Sequence, residues 1–290
     1  MSLRSWRNSL VFVAGLTVTL AAASSCSSKE TPATGTGADA GAPASNQPPV
    51  STLFSKSITS VTVEIDYAPG AEPYVGTVKD FGDPWSLVNT NVLAIFDGKK
   101  TVSFPRTLAK MEKLDDVPAK NFSNHDVLDV AAAHRTEPQY SDAVAFYVVF
   151  LNGYWLDESG TEQKKVLGVS IGDTGVIGMF KPAISVPALN PTPPTELIEK
   201  IALLHFFGHA VGFVDNGVPV GPANQAHIDT ENLHHCTNAS CVMNFANESP
   251  SGAAKYIIAA GMKSFGPETV VFGQECLSDA RLLENKQLGQ

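Results

Sequence analysis

His205 and His209 stand four residues apart in Leu204-His205-Phe206-Phe207-Gly208-His209, and Gly212 follows three residues later. On an α-helix, residues at that spacing share one face, so both imidazoles point the same way and can reach one ion. Neutral imidazole suits Zn²⁺, and a tetrahedral site then needs one or two further donors from elsewhere in the chain. The surrounding pattern predicts the helix. Thr192-Pro193 reads as an N-cap followed by proline at the first helical position. Leu197, Ile201, Leu204 and Gly208 make one buried row, with Ile198, Ala202, His205 and His209 beside it; Glu196, Glu199 and Lys200 read as the wet side. Gly212 ends the helix, because glycine accepts a left-handed cap. Five of the seven histidines fall between Leu203 and Phe245, namely His205, His209, His227, His234 and His235. Two histidines at helical spacing often make only ordinary hydrogen bonds. The weight comes from the downstream run, His235-Cys236, four residues, then Cys241-Val242-Met243-Asn244-Phe245.

Together these residues resemble the metzincin zinc peptidases, whose helix reads H-E-x-x-H-x-x-G-x-x-H before a methionine turn. The run from His235 to Phe245 is similar to that of the archaemetzincins, in which a His-Cys pair, four residues and a second cysteine lead into the methionine. The resemblance covers about residues 195–250, with a weaker echo reaching Cys276. It implies an α/β (α+β) single domain of metzincin type: a twisted mixed sheet, an active-site helix, a long zinc-binding loop and a turn at Met243. It also implies Zn²⁺ as cofactor and a peptide or protein as partner.

The chain departs from that family in three places. Phe206 occupies the position of the catalytic glutamate, the carboxylate that takes a proton from the zinc-bound water and returns it to the leaving amine. A benzyl group does neither, so no catalytic residue is intact. Second, the third ligand normally lies three residues after the glycine, at the position of Asp215, whereas the matching His-Cys pair comes only after a polar insertion. Two readings stay open: His235 as third ligand with His205 and His209, or Asp215 as an oxygen ligand. His227 and His234 are further candidates. Third, the family's second ion is held by four cysteines. Cys236, Cys241 and Cys276 match three, and Gly273 stands where the fourth is expected. The resemblance thus implies a broken four-cysteine site, with a disulfide, Cys236–Cys241 first, as the expected use of the sulfurs.

The N-terminus reads as an export signal. Arg4 and Arg7 precede an apolar run from Leu10 to Ala23, short for a membrane span but suited to a signal-peptide core. Ala22-Ala23-Ser24-Ser25-Cys26 resembles a bacterial lipobox, which makes residues 1–26 a lipoprotein signal and Cys26 the lipidated residue. Ser27 beside it points to the outer membrane or cell surface. Residues 27–52 are Ser, Thr, Ala, Gly and Pro with scarcely a large apolar group, a composition that favours a disordered tether. Residues 53–290 suffice for one domain.

Within it, Ile58 to Tyr67 alternates as a half-buried strand, and Ala143 to Leu151 is apolar on both faces, as a central strand must be. Pro84 to Phe96, Ser123 to Arg135 and Ser278 to Lys286 read as helices, and Val166 to Ile171 as a strand. Gly175 to Phe180, just before the histidine helix, reads either as the cleft edge on which a peptide would pair or as an internal strand. A net charge of −9 and the lack of any Lys/Arg cluster argue against nucleic acid as a partner. Three functions fit: a zinc metallopeptidase-type surface lipoprotein with impaired or no hydrolysis, with Glu231, Glu196 and Glu199 as stand-in bases poorly placed for the task; a non-catalytic peptide- or partner-binding relative; or an envelope protein whose histidines serve only the core.

Overall fold

The structure, a computed structural model, describes residues 50–137, 141–185, 189–262 and 265–287. The signal segment and Cys26 lie outside the described residues, as does most of the tether. Its last residues enter helix α1 (Val50–Leu53). Leu53 and Phe54 are buried, so the packed body begins about there.

Strand β1 (Ser60–Tyr67) buries Val61, Val63 and Ile65 while Thr62 and Glu64 stay half-exposed, as its alternation predicts. Helix α2 (Pro84–Ile95) starts where the Asp83 carboxylate accepts the Trp85 N–H, with Pro84 in the first turn. Two short strands follow, β2 (Thr101–Ser103) and β3 (Glu112–Lys113), both parallel to β1. Helix α3 (Asn124–His134) carries a capping box: the Ser123 hydroxyl accepts the Asp126 N–H and the Asp126 carboxylate accepts the Ser123 N–H. Strand β4 (Ala143–Leu151) is buried from Val144 onward. A small antiparallel pair, β5 (Trp155–Leu156) and β6 (Glu162–Gln163), leads to β7 (Gly168–Ile171) and β8 (Val176–Phe180). The sheet runs β2-β1-β4-β8-β7, with β3 beside the far end of β1. All neighbours are parallel except β7, which runs antiparallel to β8. This is a mixed α/β fold, and β4 lies at its centre, where a strand greasy on both faces must sit.

The two readings of Gly175–Phe180 now separate. Strand β8 is internal, paired on both sides, and β7 is the edge. Helix α4 (Thr195–Ala210) carries the histidines and lies against the sheet, with the Phe207 ring packed at a tilt on Phe146, 4.8 Å between ring centres. Two expectations for α4 need correction. The N-cap is Pro194, without a side-chain cap, and the Thr192 hydroxyl instead donates to Leu189 O. Glu199 and Lys200 do not form a wet side; both are fully buried. Glu199 pairs with Lys181 and Lys200 and accepts the Tyr74 N–H, while Lys200 donates to Tyr74 O at 3.0 Å and lies 3.9 Å from the Trp85 ring centre. The segment around Tyr74 covers this face, and the charges are tolerated because each has partners. Helices α5 (Pro250–Ala259) and α6 (Gln274–Gln287) complete the body.

Candidate metal centre

Helix α4 and the segment after it converge beneath β7. Gly208 makes this possible, since a Cβ there would lie 2.2 Å from Met243 Sδ. Without that Cβ, the fully buried Met243 passes directly under the histidine helix. Gly212, at φ 88°, then turns the chain away. The polar insertion folds back on itself: Ile228 pairs with Cys236 as an antiparallel bridge, Thr237 N–H donates to His227 O at 2.8 Å, and Asp229 N–H donates to His235 O at 2.8 Å. That hairpin returns His235 to α4.

His205, His209 and His235 point ring nitrogens at one region, and Glu248 joins them; one donor atom from each of the four lies within 4.8 Å of the others. His205 Nε2 is 3.1 Å from His209 Nε2, and His235 Nε2 is 3.1 Å from Glu248 Oε1. The tautomers follow from the outer contacts. His205 Nδ1 is 2.7 Å from Val242 O and His235 Nδ1 is 2.9 Å from Leu233 O. A carbonyl oxygen only accepts, so both Nδ1 atoms carry a proton, and in the neutral rings the Nε2 atoms are the ones that offer a lone pair. Such backbone anchoring is the usual outer support of a metal-bound histidine. Burial, with His205 and His235 alongside, pushes the His209 pKa well below its ordinary value, which keeps that ring in the neutral, ligating form. Three imidazole lone pairs and a carboxylate facing one point are a donor set that fits Zn²⁺.

The other sequence candidates lie elsewhere. Asp215 is exposed in a left-handed conformation, φ 58°, and is not among the converging donors. His234 is exposed, with φ 64°. On α3, the exposed His125 faces Asp129 and the largely covered His134 faces Asp116. Phe206 is buried, and its ring meets His205 edge-on at 5.1 Å between centres. Gly168 makes room for it, since a Cβ there would lie 2.7 Å from the Phe206 ring. A cleft of about 330 Å³ opens over this group, lined by β7 on one side and by Phe206, His209, His235 and Glu248 on the other.

The cysteines form a second group, and here the sequence expectation is overturned. Cys236, Cys241 and Cys276 are free thiols, all buried, so the expected Cys236–Cys241 disulfide is not formed. The reason is that α6 brings Cys276 to 3.7 Å from Cys241, Sγ to Sγ, and the three sulfurs share one pocket instead of pairing. Gly273 leaves no gap. His227, from the insertion, places Nδ1 3.4 Å from Cys236 Sγ and 3.9 Å from Cys276 Sγ. Its Nε2 is 3.1 Å from the Asp279 carboxylate, itself buried and held by Gly221 N–H and the Asn224 amide. A carboxylate behind a histidine is a common support for a metal ligand. Hydrogen bonds from Cys236 and Cys276, and from the Gly273 and Met243 N–H groups, hold the Cys241 pKa well below its ordinary value, which favours a thiolate. His227, Cys236 and Cys276 bring their donor atoms within 4.8 Å of one another, and Cys241 Sγ stands next to that group, 3.7 Å from Cys276 Sγ; a histidine and thiols facing one point are a donor set that fits Zn²⁺.

No known protein family and no curated protein matches the chain. Two solved structures resemble its fold. A crystal structure of archaemetzincin from Methanopyrus kandleri is 14% identical with a TM-score of 0.39, over 81% of this chain and 98% of that one. A zinc-dependent peptidase from Methanocorpusculum labreanum (strain Z) is 11% identical with a TM-score of 0.43, over 76% of this chain and 100% of that one. At these scores neither likeness decides the chemistry, which rests on the geometry above.

Proposed function

We propose that this protein is a zinc-holding relative of the metzincin peptidases that binds an extended peptide or a protein partner and does not cleave it. One observation carries the reading: three imidazoles converge as ligands while the residue between the two helical ones is a buried phenylalanine. When bound in a peptidase-type site, Zn²⁺ polarises a carbonyl and activates water. The chain's own residues must still move the proton. Phe206 has no lone pair to accept it, and its ring covers the floor of the cleft. Glu199 is buried in its pairs with two lysines and Glu231 is outside the histidine group, so neither replaces the missing base. Losing a general base typically costs about 10²–10⁴-fold in rate. Edge strand β7 beside the cleft offers a pairing surface for an extended segment. The thiol group would hold a second Zn²⁺ through His227, Cys236, Cys241 and Cys276, with a structural role.

The N-terminal pattern supports placing this body outside the cell: export by residues 1–26 and lipid attachment at Cys26, with residues 27–52 as tether. None of the helices among the described residues is long and apolar enough to cross a membrane.

The test is zinc analysis by mass spectrometry combined with a peptide-cleavage assay on the full chain. The expected result is two Zn²⁺ per chain and no cleavage above background. Chelator-sensitive cleavage by the natural protein would overturn the non-catalytic reading, and metal-free protein after purification in zinc would overturn both sites.

A further inference from the structure

Glu248 has no counterpart in the pattern that led to the three histidines, yet it is the fourth group in their cluster. We propose that Glu248 is a direct fourth ligand, so that the histidine site is a closed set of three imidazoles and one carboxylate with no position left for water. This rests on the reading that the histidines hold Zn²⁺, and it goes further by assigning the remaining position.

The first argument is an account of protons. His205 and His235 spend their Nδ1 protons on backbone carbonyls, so in the neutral rings it is the Nε2 atoms that present lone pairs. Glu248 Oε1 faces them at 3.1 Å from His235 and 3.9 Å from His205. Electron-pair donors at such distances repel unless a positive centre sits among them. One cation at the common point satisfies all four donors at once, which a single shared proton does not.

The second argument is distance. Zn–N and Zn–O bonds near 2.0–2.2 Å place neighbouring ligands of a tetrahedron roughly 3.3–3.5 Å apart. The Glu248 contacts with His235 and His205 bracket that separation, and all four donor atoms lie within 4.8 Å of one another. A carboxylate acting as a base would stand one water farther out, since it reaches the ion only through the water it deprotonates. Glu248 Oε1 is too close to the ring nitrogens for an intervening water.

The third argument is how the carboxylate is held. Glu248 ends a 3₁₀ turn (Phe245–Glu248) whose first residues are capped by the Asn244 side chain. Its own carbonyl accepts the Leu167 N–H at 3.1 Å, tying the turn to the segment leading into β7. The buried Asn247 amide donates to Val242 O at 2.9 Å, the same carbonyl that orients His205. The turn that carries Glu248 and the ring that faces it therefore share one anchor. Four protein ligands mark a structural zinc site, whereas catalytic sites keep one position open. On this view Phe206 and Glu248 are two parts of one change: one removes the base and the other removes the place for water.

The experiment compares the zinc-loaded full chain with Glu248→Ala, Glu248→Gln and His209→Ala. Acetohydroxamate, which chelates zinc only where a position is open, serves as the calorimetric probe, and chelator competition gives zinc affinity. The natural protein should not bind the probe at millimolar concentration, and Glu248→Ala should bind it. Glu248→Ala should also lose at least about 10-fold in zinc affinity, the scale on which even outer-sphere changes act. Should Glu248→Ala fail to fold, Glu248→Gln keeps the shape with a weaker donor and should show a smaller loss. Hydroxamate binding by the natural protein, or unchanged affinity in the variants that fold, would overturn the assignment and leave Glu248 as a hydrogen-bond partner of His235. If His209→Ala carries as much zinc as the natural chain, the histidine reading itself fails, whatever Glu248 does.

Discussion

The histidine group and the thiol group are fed by adjacent residues. His235 turns to one and Cys236 to the other, as successive side chains of an extended segment must. Each group has four potential ligands, and each draws one histidine from the polar insertion. They differ in access. The thiol group is sealed, with His227, Cys236, Cys241 and Cys276 all buried. The histidine group opens on a cleft through His209 and Glu248, both only partly buried. The two also tie different parts together: the thiols join the insertion to α6, the histidines join α4 to the 3₁₀ turn. The contrast teaches that exposure and donor count are separate properties. A site can face a cleft built for substrate and still have every ligand position filled by the chain.

The largest expected effect comes from breaking the sealed group. Cys276→Ala removes the only sulfur that α6 supplies, and with it an ion whose binding free energy is folding free energy. The loss should reach about 3 kcal/mol or more, or roughly a 6–12 °C fall in melting temperature for a domain of this size. Circular dichroism melts in excess zinc decide it; a variant that melts with the natural protein would show that the thiol group holds nothing up. Next in size is a difference in rate. A chelator added to the two-zinc protein should remove one ion quickly from the cleft and the other only as the fold opens, with release rates apart by on the order of 10-fold or more. A single phase for both ions would erase the distinction drawn here.

What the sequence could and could not show follows the same line. Local pattern was enough for β4, apolar on both faces, for the alternation of β1, and for the presence of helix α3, because each depends on residues within one element. The same logic failed on α4. Glu199 and Lys200 look like a solvent face until Lys181 and the chain near Tyr74 close over them, and those partners are remote in sequence. At β8 it left edge and internal strand both open, since pairing order decides which strand is the edge. At the metal groups, His205 and His209 were legible through helical spacing, and His235 through the run that follows it. Glu248 was not, and His227 was a candidate only for the third ligand of the histidine group, not for a place among the cysteines. His227 lies in a polar insertion whose path only the bridge between Ile228 and Cys236 defines. Glu248 lies in Asn247-Glu248-Ser249, which by composition is an ordinary turn. No periodicity marks either residue; only the folded path does. The disulfide was expected because Gly273 stands where a fourth cysteine would be, and nothing in the sequence marks His227 as the group that comes beside the sulfurs instead.

The smallest predicted effect is the most discriminating for the thiol group. His227→Cys should convert it to four thiolates and keep the ion. The cysteine side chain is shorter than histidine's, but a Zn–S bond of about 2.3 Å against 2.0–2.1 Å for Zn–N recovers part of the reach. The cost should be modest. Asp279 loses its contact with His227 Nε2, yet it keeps the Gly221 N–H and the Asn224 amide, so its carboxylate is not left unpartnered. A change of about 1 kcal/mol, on the scale of one hydrogen bond, is expected. His227→Ala, by contrast, leaves three sulfurs and an open position, and should lose zinc to a chelator that the natural protein resists. If both variants keep the ion equally, His227 is a neighbour of the sulfurs and not a ligand. The histidine group would then be the only one of the two in which the insertion completes a site.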